Sequence, residues 1–126
     1  MSLSHGGELS ERVIGLAIDV HRQLGPGLLE SVYEECLCFE LKHAGIAYGR
    51  QVPLALVYKN IRLECSYRMD VVVERQLIIE IKAVEQLLPI HEAQMLTYLR
   101  LSGHPIALLM NFNSVALRNG LRRFVL

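Results

Sequence analysis

The chain has 126 residues, the size of one domain, and a hydrophobic content of 52%, enough to bury a core without disulfide staples. Thirteen Lys and Arg balance thirteen Asp and Glu, so net charge advertises no polyanionic partner, although a neutral total can hide a local basic patch. The start MSLSHGGELS lacks the basic segment and apolar run of a signal peptide, and no uncharged apolar run approaches the ~18 to 20 residues of a membrane span. A cytoplasmic protein without a membrane segment is expected, folded as a single domain with residues 1–8 as a disordered N-terminal tail.

From Leu9 to Leu24 the apolar residues Val13, Ile14, Ala17, Ile18 and Leu24 recur at helical spacing, with Ser10 as a cap. The two glycines around Pro26 in LGPGLL then interrupt any helix. A second helix is expected over Leu28 to Ala44, stopped by Gly45. It carries Cys36 and Cys38, which would point about 200° apart on a helix and cannot share an ion. With Cys65 they are expected to be buried or idle thiols.

Beyond Gly45 the period changes. QVPLALVY, IRLECSY, MDVVV and QLIIEIKAV are β-rich runs separated by short polar breaks. Pro89 opens a third helix, Ile90 to Ser102, ended by Gly103. PIALLMNF reads as a buried strand, and the tail as a short helix or edge strand with the basic cluster Arg118, Arg122 and Arg123. The order α-α-β-β-β-β-α-β fits an α/β fold, a mixed sheet flanked by helices.

The run QLIIEIKAV is apolar enough for a strand buried on both faces, yet it holds Glu80 and Lys82, and burying an unpaired charge is costly. Pairing it with MDVVV through the three-residue connection 74–76 sets Val73 opposite Leu77 and Asp70 opposite Glu80. Alternation then puts Asp70, Val72, Ile78, Glu80 and Lys82 on one face and only apolar residues on the other. Opposed carboxylates ~4.5 to 5.5 Å apart repel, so something positive must compensate. Lys82 would make this a structural ion-pair cluster; a divalent cation would make it a metal site. Two helical stripes bear on the choice. Glu30, Tyr33, Leu37 and Leu41 line one face of the second helix, and His91, Gln94 and Tyr98 one face of the third, which suggests a wet cavity.

Asp70, nine intervening residues, and Glu80-x-Lys82 resemble the PD-(D/E)xK nuclease superfamily, and GLLESVY (27–33) resembles the GxxExxY signature of one of its bacterial and archaeal branches. The likeness continues through YRMD, LIIEIKAV, HEAQMLTYL and LLMNF, with Met69 in place of the superfamily's Pro and NSV after LLMNF where the branch has a glycine. The resemblance implies a restriction-endonuclease-like core, a mixed sheet of about four main strands between helices. It implies Mg²⁺ or Mn²⁺ held by Asp70 and Glu80, with the Ile81 carbonyl as an extra ligand. Lys82 would activate the attacking water, Glu30 would assist through water, and Gln94 would be the polar residue of the following helix. His91, Tyr98, Tyr33 and Arg68 are expected as accessory residues. The expected activity is hydrolysis of phosphodiesters in nucleic acid, DNA above RNA, with a homodimer or a targeting partner supplying selectivity. The rival expectation is a catalytically silent binding or scaffold module that keeps the fold.

Overall fold

In the computed structural model, which describes residues 3–64 and 67–126 and side chains from Gly7 onward, the first helical segment forms α1 (Leu3–Leu24). It starts ahead of the expected Leu9, so residues 3–8 are helix where a tail was expected, and Ser10 is a buried residue inside the helix. Gly6 and Gly7 weaken a helix by roughly 1 kcal/mol each without ending it as a proline would. The second helix, α2, spans Glu30–His43, and the third, α3, spans Pro89–Ser102 with Gly103 as its left-handed cap.

The β-rich runs resolve into β1 (Tyr48–Pro53), β2 (Leu56–Tyr58), β3 (Ile61–Leu63), β4 (Arg68–Val73) and β5 (Leu77–Lys82). After α3 come β6 (Ile106–Asn111), a 3₁₀ turn (Leu117–Gly120) and β7 (Leu121–Val125). One mixed sheet has the order β1-β4-β5-β6-β7, with only the β5–β6 pair parallel and α3 as its crossover. The mixed sheet between helices is the expected α/β architecture, with five strands for the four or so main ones expected. The tail supplies both expected structures in succession, a short helical turn and then β7, which covers the open edge of β6. Among the described residues β2 and β3 pair only with each other, outside this sheet.

Period-2 alternation sorts the two faces. Val71, Val73, Leu77, Ile79 and Ile81 pack with Val13, Ala17 and Val20 of α1 and Tyr33, Leu37 and Leu41 of α2. Met69, Val72, Ile78, Ala107 and Leu109 pack with Met95, Tyr98 and Leu99 of α3. Each Val, Leu, Ile or Met side chain among them contributes roughly 1.5–3 kcal/mol on burial. β5 is therefore covered on both faces, which fits its apolar run.

The break between α1 and α2 is a turn whose Gly25 and Gly27 sit at φ 70° and 99°, where a side chain would be strained. Tyr33 braces it: its hydroxyl donates to Gly25 O at 2.6 Å and accepts Leu28 N–H at 3.1 Å, while its ring stacks on Phe112 at 4.5 Å. Tyr33→Phe should therefore destabilise the fold by about 1–2 kcal/mol, because the N–H and C=O of the turn lose their partner. Urea denaturation measures this, and an unchanged midpoint would contradict the bracing role. Gly120 answers a different demand. A Cβ there would meet Ser114 Oγ and stand 2.6 Å from the Asn111 carbonyl. Gly120→Ala is expected to cost about 1–3 kcal/mol by forcing the β6–β7 connection open, read as a lower thermal midpoint.

Candidate metal centre

β4 and β5 pair as Val71↔Ile79, Val72↔Ile78 and Val73↔Leu77, around the expected connection 74–76. Glu74 and Arg75 turn the chain at φ 52° and 57°, and Gln76 N–H bonds to Val73 O at 2.9 Å. One step further, Asp70 faces Glu80, and side chains take over the ladder. Asp70 N–H donates to Glu80 Oε2 at 2.8 Å, and Ile81 N–H donates to Asp70 Oδ2 at 2.9 Å. The two carboxylates thus hold the strands together, each accepting a backbone N–H of the opposite strand.

Their electrostatics are unfavourable without a cation. Burial, then the negative charge of Asp70, pushes the Glu80 carboxyl from its ordinary 4.5 up to about 8, although Asp70 N–H and Lys82 oppose the rise. Burial also raises Asp70, against the Ile81 N–H bond that favours its charged form. Lys82 lowers both values but makes no ion pair among the described residues. Salt bridging to Lys82 therefore does not compensate the acid pair.

The remaining expected residues fall into distinct places. Glu30, at the start of α2, accepts Ala83 N–H at 3.2 Å, immediately beyond Lys82. Gln94 donates to the Tyr98 hydroxyl at 3.0 Å on the α3 side. Burial raises the Tyr98 phenol against the lowering by the Gln94 bond, and the charges of Glu80 and Asp70 add to the rise. His91 caps α3, its Nδ1 accepting Leu88 N–H at 2.9 Å. Tyr33 is taken up by the Gly25 turn. Arg68 donates to Gln51 O at 3.2 Å, next to the site.

Three residues at the centre escaped the sequence reading. Gln51 interrupts the β1–β4 ladder between Arg50↔Val71 and Val52↔Met69, opposite Asp70, and it does so at φ 50°. A non-glycine residue held there costs about 1–3 kcal/mol, strain that clusters at functional sites. Its amide reaches Glu34 Oε1 at 3.0 Å and Asp70 Oδ1 at 3.4 Å. Glu34 is buried and also takes Arg50 Nε and Nη2, both at 3.0 Å. Glu34 lies one helical turn beyond Glu30, so i, i+4 spacing was the available signal; for Gln51 and Arg50 the sequence carried none. Asn111 acts from the far side. Its Oδ1 accepts Val84 N–H at 3.0 Å and its Nδ2 donates to Val84 O at 2.9 Å, which fixes the chain just after Lys82.

Among the described residues no group of three or more His, Cys, Asp and Glu side chains is placed to hold a metal. Two carboxylates with one amide nearby nevertheless suit a hard cation that takes one or two protein oxygens and fills its shell with water and phosphate. The buried repulsion at Glu80 is what such a charge would relieve, so the residues fit a divalent cation. Cys38 is buried, its thiol pushed up to about 11, Cys36 is partly buried, and both are free; Cys65 lies outside the described residues. No helix among the described residues is long and apolar enough to cross a membrane.

A mixed sheet between helices, with an acid on β4 and Glu-x-Lys on β5, is the plan of a nuclease core. The family model of the PD-(D/E)XK nuclease superfamily matches residues 7–124, and the chain belongs to that superfamily. No curated protein and no solved structure matches it.

Proposed function

We propose that the protein is a nuclease that hydrolyses phosphodiester bonds of nucleic acid, DNA in preference to RNA, with Mg²⁺ or Mn²⁺ held by Asp70 and Glu80. The observation that carries this reading is the buried, mutually repelling acid pair, Glu80 raised to about 8, beside a lysine free of ion pairs among the described residues. When bound, the cation would neutralise charge on the scissile phosphate and acidify a coordinated water. Asp70 is held in place by Ile81 N–H and Gln51, and Glu80 by the N–H of Asp70. Lys82 would orient the attacking water as an ammonium donor, or take its proton only as the neutral amine, and its backbone is fixed by Phe112 N–H bonding to Lys82 O at 2.8 Å. Glu30, at Ala83, orders solvent on the same side.

We read GLLESVY (27–33) as the GxxExxY signature, a reading supported by what its three spaced residues do. Gly27 permits the turn, Glu30 reaches the end of β5, and Tyr33 locks the turn, so three spaced residues serve one junction. A domain this small has little room to read sequence, and a second copy or a targeting partner would supply selectivity. Incubating single-stranded, duplex and branched DNA and RNA with Mg²⁺ or Mn²⁺ tests the activity. Cleavage confined to the wild type supports it. Cleavage that persists undiminished in Glu80→Ala identifies a contaminant, and no cleavage anywhere favours the silent module.

A further inference from the structure

β1 and β4 do not stop at the edge of the sheet. Leu54 N–H donates to Tyr67 O at 3.0 Å, continuing their pairing, and β2 and β3 then pair as Leu56↔Leu63, Val57↔Arg62 and Tyr58↔Ile61 around the turn Lys59-Asn60. Among the described residues this makes a two-stranded ribbon that leaves the sheet beyond the Pro53↔Arg68 pair, close to Gln51, whose carbonyl accepts from Arg68 and whose amide reaches Asp70 Oδ1 at 3.4 Å. Fully extended, the chain from Gln51 to Lys59 would reach roughly 26 Å. A two-stranded ribbon alone in water is marginally stable. This one also exposes large side chains: Val57 is 54% exposed, Tyr58 60% and Ile61 59%.

Its surface has two chemistries. Tyr58 and Ile61, a cross-strand pair, share one face with Leu56, while Val57 and Arg62 share the other. Lys59 Nζ sits 5.5 Å above the Tyr58 ring. In a chain with no net charge, the segment 54–68 carries Lys59, Arg62 and Arg68 against Glu64 alone. An apolar, aromatic face with a cationic rim matches unstacked bases joined by phosphates. A single strand presents both together, whereas a duplex hides its base faces. Symmetric pairing with the same ribbon of a second copy would instead bring Lys59 and Arg62 against like charges.

We propose that this ribbon is a binding arm for single-stranded nucleic acid, with Tyr58 stacking on a base, Lys59 and Arg62 meeting phosphates, and the strand led along Arg68 to the acid pair. The proposal rests on the nuclease reading for what the strand is delivered to, and it sets the substrate class as unpaired nucleotides.

Binding can be measured without cleavage, in chelator, by fluorescence anisotropy of a labelled single strand and of the duplex of the same sequence. The wild type should bind the single strand more tightly. Tyr58→Ala should bind it at least about five-fold more weakly, Tyr58→Phe as well as the wild type, and Lys59→Glu more weakly with a shallower salt dependence. If Tyr58→Ala loses its fold by circular dichroism, the Phe and Glu variants carry the test, and wild-type affinity in Lys59→Glu overturns the proposal. Equal affinity for Tyr58→Ala, preference for duplex, or no binding at all overturns it too. So does an arm variant that changes only the oligomeric mass in light scattering. Cleavage by the wild type in Mg²⁺ would, in each of those cases, leave the nuclease reading standing, whereas its absence beside intact arm binding would remove that reading alone.

Discussion

Glu80→Gln should make the metal-free protein more stable at pH 8, not less. The Glu80 carboxyl is protonated in the folded chain up to about 8 and in the unfolded chain only up to its ordinary 4.5. Between those two values the folded state binds the extra proton, so stability falls as pH rises and the cost is complete above about 8. Below 4.5 both states are protonated and the term vanishes. Gln removes the charge yet keeps an oxygen for Asp70 N–H and adds a donor for the Asp70 carboxylate. A gain on the order of 2–3 kcal/mol at pH 8 and a flatter pH dependence between 5 and 8 are expected, measured by urea denaturation. Adding Mg²⁺ at ten times its dissociation constant should stabilise the wild type by about 1.4 kcal/mol and the variant not at all. A variant less stable than wild type, with Mg²⁺ inert towards both, would show that the acids are structural.

Lys82→Ala should separate chemistry from folding in the opposite way. The ammonium has no ion-pair partner among the described residues, its carbonyl is held independently by Phe112 N–H, and Asn111 holds the backbone of Val84 two residues on. Stability should therefore stay within about 1 kcal/mol of wild type. Phosphodiester cleavage, by contrast, should fall by about 10²–10⁴-fold, the span for losing a positioned proton-transfer group. Lys82→Arg discriminates further: it keeps the charge but cannot give up its proton, so recovery of most activity would assign Lys82 to electrostatics rather than proton transfer. Undiminished cleavage in Lys82→Ala would remove this residue from the mechanism.

Strand alternation was enough to gather Asp70, Glu80 and Lys82 at one end of one face, and the register Val73↔Leu77 follows from the three-residue connection. These are neighbours along a single hairpin, where local pattern and turn length dictate pairing. The helices were legible for the same reason. α2 and α3 end within a residue or two of their expected bounds because Gly25, Gly45, Pro89 and Gly103 punctuate the chain. QVPLALVY was less legible. Its single run divides into β1 and the start of the ribbon, since Pro53 and the distortion at Gln51 matter only once β4 lies alongside.

By itself, then, the sequence determined α2 and α3, the β4–β5 hairpin, the acid pair and the superfamily plan, all features written in spacing between nearby residues. Only the tertiary structure decided that Gln51 bridges Asp70 to Glu34 and that Arg50 holds Glu34. It likewise set Tyr33 and His91 to bracing a turn and capping a helix, and it paired β2 with β3 in a separate two-stranded sheet. Those outcomes depend on which distant backbones meet. Long-range pairing such as β1 with β4, or β6 with β7, is chosen by the burial of whole faces and leaves little trace in any one stretch of residues.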